Sequence, residues 1–437
     1  MSAKHFPKKP ALRPLWQRIR KLFKRFTRLP EENAIEEPID FSAPSVPYYT
    51  NLSERFNLAR IVLYMILLVF VVVTVISSRH LITYENLYYL VKDINAASLT
   101  AQSQADHLNY PMSGVSADFA IYRDGLTVVG DHEITVLSGS GKQTLSDNIA
   151  FSSPCVRAGE RYFLAFSRGQ RNFSVYNSFV KVHEESTEYP IYDVCMARDG
   201  AFAVLTRSKE YTSEVIFYHE DIGKVAAAHL GGYVTAMSLS PDGKVLAILS
   251  TDMTDEGYVT KLTLIRRGIS GVSDHEVILG DAAGLGAAFV SDDRLAVMLE
   301  DRLCFYRSDG SQVSSIPHGD ADPTFWDCGD GYVAILSNRH DTLSASFLQV
   351  FDKNGRLVYQ QTLSALTGVK RILLNGQDVY IQLNERILYI SDKGSKLSQA
   401  TIHRDAIKIL ADEDGNLLVC CPAYATRLDN SDFTPIP

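Results

Sequence analysis

The chain has 437 residues, of which 46% are hydrophobic, 10% aromatic and 22% charged, a globular composition that excludes a disordered or low-complexity polymer. Its formal net charge is −8, which excludes general DNA or RNA binding because phosphate neutralisation needs a basic surface. The charge is unevenly divided: residues 1–60 hold 12 Lys+Arg against 6 Asp+Glu and the remainder holds 31 against 45, so the two parts face different partners.

Near the N-terminus, Leu12, Leu15, Trp16, Ile19, Leu22, Phe23, Phe26 and Leu29 recur at steps of three and four. Arg18, Arg20, Lys21, Lys24, Arg25 and Arg28 lie between them. This spacing predicts a basic amphipathic helix. Trp16 and the six cations form a candidate surface for anionic membrane lipid, with docking on an acidic cytoplasmic protein as its rival. Residues 30–52 carry Pro30, Pro38, Pro44 and Pro47 and read as a flexible spacer.

Residues 61–78 contain no charge, and Arg60 and Arg79 bracket them. At about 1.5 Å per residue a helix of this length spans about 27 Å, just enough to cross a bilayer. The segment is expected to stay as an anchor, because the 60 residues before it do not suit a cleavable signal peptide. The basic block places the N-terminus in the cytoplasm. The expected organisation is a cytoplasmic tail at 1–57, a transmembrane helix at 58–78, a juxtamembrane helix and connector at 79–112, and an extracytoplasmic domain at 113–437. In the connector, Tyr84, Leu87, Tyr88, Val91 and Ile94 share one helical face.

From residue 120 onward, turn chemistry recurs at regular spacing. Tight-turn pairs occur at Asp124-Gly125, Gly159-Glu160, Asp199-Gly200, Asp242-Gly243, Asp292-Asp293, Asp330-Gly331, Asn375-Gly376 and Asp414-Gly415. Gly125 to Gly415 covers 290 residues in seven steps, about 41 each. A second set, Gly141, Asn177, Gly223, Gly268, Gly310, Gly355 and Gly394, follows the first, so each unit holds two hairpins. Four antiparallel strands per unit make one blade, and the chain reads as an all-β propeller of about eight four-stranded blades, seven being possible. Stacked sandwiches are the rival. The last unit ends before a fourth strand, which residues 113–122, or the segment just before them, are expected to supply.

The 84–95 stretch, the Ala120-Ile121-Tyr122-Arg123-Asp124-Gly125 opening and the array of hairpins resemble an uncharacterised bacterial family, known only as a domain of unknown function. The resemblance spans roughly residues 60–430. It implies single-span proteins of Gram-positive bacteria with a propeller-type ectodomain, and no activity comes with it. Ser240-Pro241-Asp242-Gly243-Lys244 is similar to a turn of many WD40-like propellers.

No chemistry stands out along the chain. Quinoprotein propellers lock their blades with repeated tryptophan, yet Trp326 is the one tryptophan of the repeats. Ser138-Gly139-Ser140-Gly141 lacks the strand-to-helix elbow of a hydrolase. His318, Asp320, Asp322, Asp327 and Asp330 concentrate metal-type ligands without matching an EF-hand or HExxH spacing. Asp252, Asp255 and Glu256 form another acidic loop. Six cysteines with no CxxC pair read as buried small hydrophobes, one Cys155–Cys195 disulfide staying open. No catalytic, cofactor or metal residue is assigned.

One pattern does repeat. Arg168, Arg207, Arg302, Arg339 and Arg386 lie 7 to 10 residues after their first-hairpin turns. In a propeller these positions gather on one face, as a ring that grips carboxylate or phosphate, or they simply begin third strands. The expected function is a non-enzymatic, membrane-anchored binding or scaffold module, without cofactor, for a protein or an anionic envelope polymer at the plasma membrane. A transmembrane sensor and a propeller hydrolase or lactonase are the alternatives.

Overall fold

The computed structural model describes residues 56, 59–70, 72–73, 105–111, 116–123, 125–255, 257–268, 271–339, 345–364, 366–391, 393–412 and 415–436. The chain divides into two units, residues 1–87 and 88–437. In the first, residues 59–70 and 72–73 are helical, with Ile61, Leu67 and Phe70 exposed. Among the described residues no helix is long and apolar enough to cross a membrane. The rest of the expected 58–78 span lies outside the described residues, as do the basic helix with Trp16, the spacer and the 84–95 helix.

The second unit consists of eight antiparallel sheets. Their first strands are Asp118–Tyr122, Pro154–Ala158, Asp193–Met196, Tyr233–Leu239, Gly284–Ser291, Ala321–Gly329, Arg371–Asn375 and Lys408–Ala411. Each first strand touches those of the two neighbouring sheets around a closed circle, so the architecture is an eight-bladed propeller with these strands innermost. Seven blades are thereby excluded. All eight first-hairpin turns read from the sequence join a first strand to a second. At Asp242-Gly243 the choice of residue is forced: Gly243 has φ 64°, and a Cβ there would lie 2.2 Å from Oδ2 of Asp199 in the preceding blade.

The second strands explain why the blades stack. Gly125–Val129, Phe163–Ser167 and Phe202–Thr206 are buried at every position, the mark of strands covered on both faces. Outer strands such as Gln143–Asn148 (QTLSDN) are mostly exposed and polar. The buried side chains form eight clusters, one for each junction between neighbouring blades. Alternation along a strand divides each blade between two clusters: Cys420 packs toward blade 1 and Cys421 toward blade 7. All six cysteines are free, so no Cys155–Cys195 disulfide forms.

Blade 8 closes the ring with both chain ends. Lys408–Ala411, Leu417–Cys420 and Tyr424–Leu428 come from the C-terminal side, and His107–Asn109 pairs with the last of them as the outermost strand. The closing strand is therefore the segment upstream of residue 113, and residues 118–122 instead form the inner strand of blade 1. Tyr110, buried, donates its hydroxyl toward the carbonyls of Cys421 (2.5 Å) and Tyr424 (2.7 Å). Blade 7 departs from four strands: Thr434–Pro435 adds a fifth beside Lys396–Thr401.

Candidate functional site

Antiparallel order sends the first-to-second and third-to-fourth turns to one end of every blade. The second-to-third loops and the connections between blades lie at the other. The five candidate arginines all occur at this second end, as the spacing predicts, but those with described side chains turn to local partners. Arg168 donates from Nε to the Tyr192 carbonyl (3.0 Å) and pairs with Asp193 of the next blade (3.6 Å). Arg207 lies over the Tyr189 ring, 5.5 Å from its centroid. Arg302 opens a third strand, pairs with Asp301 (2.5 Å) and donates to the Leu279 carbonyl of blade 4 (2.7 Å). Arg386 also opens a third strand and donates to Gln399 (3.3 Å). Arg339 ends the strand Tyr332–Arg339 in register with Ala321.

A second charged set, unmarked in the sequence reading, sits on the inner strands. Lys408 of blade 8 donates to Oδ1 of Asp118 in blade 1 (2.6 Å) and to the Phe119 carbonyl (2.7 Å). The other oxygen of Asp118 accepts from the Val156 amide of blade 2 (3.0 Å) and lies 3.6 Å from Arg157. Arg157 in turn holds Asp193 of blade 3 (3.0 Å) and the Val194 carbonyl. Burial opposes ionisation of Asp118, but the Lys408 ammonium and backbone amides outweigh it and hold the carboxyl below its usual range. Burial chiefly, with repulsion from Arg371 and Arg157, holds Lys408 below the usual lysine range despite Asp118.

Similar staples recur elsewhere on the inner strands. Ser238 of blade 4 accepts from the Phe289 amide of blade 5 (3.0 Å), and Asp327 of blade 6 from the Leu374 amide of blade 7 (2.8 Å). Asp327 is pushed up to about 6, burial outweighing the Leu374 amide and the Arg371 charge. Trp326, the lone repeat tryptophan, packs where Gly286 of blade 5 has no side chain; a Cβ there would come within 2.3 Å of its ring.

Blade 4 differs from its neighbours at the loop end. Its second and third strands, Val245–Thr254 and Gly257–Gly268, run 10 and 12 residues, against five or six in blades 1, 2, 3 and 5. The added length makes a hairpin on which Met253 is 80% exposed and its cross-strand partner Tyr258 60%. Tyr233, 73% exposed, pairs with Thr251 on the same face. Asp255, at the tip of the hairpin, and Asp281 are exposed, while Asp252 and Glu276, which hold Lys261 at 2.9 and 3.7 Å, stand on the opposite face of the sheet.

The remaining sequence candidates disperse. His318 contacts the Leu299 carbonyl (3.1 Å), Asp330 pairs with Arg198 (3.4 Å), and Asp327 serves the blade junction. Among the described residues no group of three or more His, Cys, Asp or Glu converges as for a metal ion. Ser138 and Ser140 bond each other (3.0 Å) in the turn before the last strand of blade 1. The inner strands contain no histidine.

The model of a family of unknown function (DUF5711) matches residues 103–424. No curated protein matches. Among solved structures, Hsv2 of Kluyveromyces lactis is similar at 11% identity, with 73% of this chain and 98% of that chain covered and a TM-score of 0.43. Apo AztD of Citrobacter koseri is similar at 13% identity, with 68% and 86% covered and a TM-score of 0.45. A functionally unknown protein of Desulfotomaculum acetoxidans is similar at 9% identity, with 60% and 89% covered and a TM-score of 0.42.

Proposed function

We propose, from the premise that this chain belongs to the family of unknown function (DUF5711) and takes no activity from it, that the propeller is a non-enzymatic binding or scaffold module whose blade-4 hairpin docks a protein. The observation that carries this reading is the exposed trio Tyr233, Met253 and Tyr258 on one face of an over-long hairpin. Aromatic and methionine side chains are the residue types that anchor protein interfaces. The exposed carboxylates Asp255 and Asp281 fit a partner segment with basic flanks, since opposite charge steers encounter. They also count against a bilayer surface, where anionic headgroups would repel them.

Anchoring by residues 58–78, with the propeller outside the cell and the basic tail on the inner leaflet, belongs to the same proposal. It rests on the uncharged stretch between Arg60 and Arg79. The loop-face arginines belong to it as an alternative site for an anionic polymer, which would have to displace their present partners. Protease treatment of intact cells checks the topology: the propeller should be digested and the tail spared, and the reverse pattern contradicts it.

The docking test compares proteins recovered with the full-length chain and with a Tyr233→Ser, Met253→Ser, Tyr258→Ser variant, after confirming that both fold. A partner that binds the first and not the second supports the reading. Equal recovery by both removes it.

A further inference from the structure

Charged side chains on the inner strands of blades 8, 1, 2 and 3 pair in alternating sign. Lys408, Asp118, Arg157 and Asp193 follow one another in this way, each within 3.6 Å of the next. Before Lys408, at the start of the inner strand of blade 7, stands another cation, Arg371. Its guanidinium makes no hydrogen bond or ion pair with any described residue, and it is half-buried. Asp327, the carboxylate whose ionisation Arg371 favours, is beyond ion-pair reach and already accepts the Leu374 amide.

The direction of Arg371 follows from alternation. Ile372 and Leu374 pack in the cluster between blades 6 and 7, whereas Leu373 packs in the one between blades 7 and 8. Arg371 therefore shares the blade-8 side with Leu373. Directly across the sheet from Arg371 is Gln382, which is 0% exposed. Its Nε2 donates to the Ala406 carbonyl at the entry to blade 8 (3.3 Å), and its Oε1 is buried without a partner among the described residues. Cross-strand pairs share a face, so a cation lacking an acceptor and an acceptor lacking a donor stand side by side.

These two needs are opposite in kind. Chloride, acetate or sulfate answers only the guanidinium, and an alcohol answers only the amide oxygen. An oxyanion that also carries a hydroxyl answers both, accepting the planar guanidinium fork through two oxygens and donating its O–H to Oε1. We propose that Arg371 and Gln382 form a binding site for a hydroxyl-bearing oxyanion, hydrogen phosphate. The site is independent of protein docking on blade 4, and either can fail without the other.

Calorimetric titration of the full-length chain at pH 7 and constant ionic strength tests this, with inorganic phosphate and sulfate as probes. Sulfate matches phosphate in shape and lacks the hydroxyl. Inorganic phosphate should bind saturably and sulfate at least about tenfold more weakly, because a buried acceptor left unpaired penalises the analogue without a donor. Arg371→Gln should weaken phosphate at least about tenfold. Gln382→Glu, which places a carboxylate opposite Arg371, should abolish the phosphate response. Equal binding of sulfate and phosphate by the unmodified chain, absence of saturable phosphate binding, or an Arg371→Gln variant that binds phosphate unchanged would overturn the proposal.

Discussion

The blade-4 hairpin and the seam between blades 8 and 1 are made from the same strand chemistry and put it to opposite use. At the seam, Lys408 and Asp118 are drawn out of solvent, side chains 17% and 20% exposed, and Leu108, Phe119 and Leu418 close over one another. On the hairpin, strands of 10 and 12 residues outrun their neighbours, and Tyr233, Met253 and Tyr258 are left exposed. One region joins chain ends almost three hundred residues apart and is needed for the ring. The other adds no burial to the ring and is available for something else. Substitutions should therefore separate stability from binding according to region.

The largest effect is expected from shortening the chain through residue 110. Blade 8 then loses its outermost strand and the Tyr110 hydroxyl contacts, and denaturant titration should show loss of a single cooperative transition, since a sheet edge is exposed and the junction with blade 1 loses Leu108 and Tyr110. Lys408→Met comes next: it leaves the Asp118 carboxylate in a mostly buried site without its ammonium, at a cost of about 3 kcal/mol in unfolding free energy. The cost should shrink in the Asp118→Asn, Lys408→Met double variant. An unchanged cost would mean that the pair does not hold the seam.

Asp327→Asn sharpens the comparison through pH. The folded value of Asp327 is raised to about 6, so its contribution to stability is complete below the unfolded value of about 3.9 and is lost as pH rises through 6. Asparagine still accepts the Leu374 amide and does not ionise. The variant should match the unmodified chain near pH 4 and exceed it by about 2 kcal/mol at pH 7; thermal unfolding at the two pH values checks this. Asp118 has the opposite sign: its folded value is lowered, so its contribution is present above about 3.9 and is lost as pH falls further. The smallest effect on stability is expected for Met253→Ser, within about 0.5 kcal/mol, because the side chain is exposed.

The ring was legible because its turns are local. Asp-Gly and Asn-Gly pairs declare a first hairpin without reference to anything distant, and in blade 7 the strands Arg371–Asn375 and Asp378–Gln382 flank the Asn375-Gly376 turn and Arg386–Ser391 and Lys396–Thr401 flank Gly394. The closing strand was harder to place: His107-Leu108-Asn109 has no pattern of its own and exists through pairing with Thr426, Ala425 and Tyr424. The loop-face arginines were placed at the right end of the blades, yet their contacts depend on residues such as Leu279 and Tyr192 that spacing alone does not bring together. Lys408 and Arg371 were missed because a single charge before a short apolar run looks like the flank of a strand. A usable signal was the repetition, in Asp118, Asp193, Arg371 and Lys408, of a charge at the first position of an inner strand. The hairpin of blade 4 was seen only as the acidic loop of Asp252, Asp255 and Glu256.

The central claim, that this propeller binds a protein through the blade-4 hairpin, is most directly tested by a photo-crosslinking residue placed at position 253 of the full-length chain in its own cells, with position 330 as the comparison. Asp330 lies in a first-to-second turn at the opposite end of the blades. A discrete crosslinked protein from position 253 and none from position 330 is the expected result. Adducts from 330 alone, or from neither position, would contradict the claim.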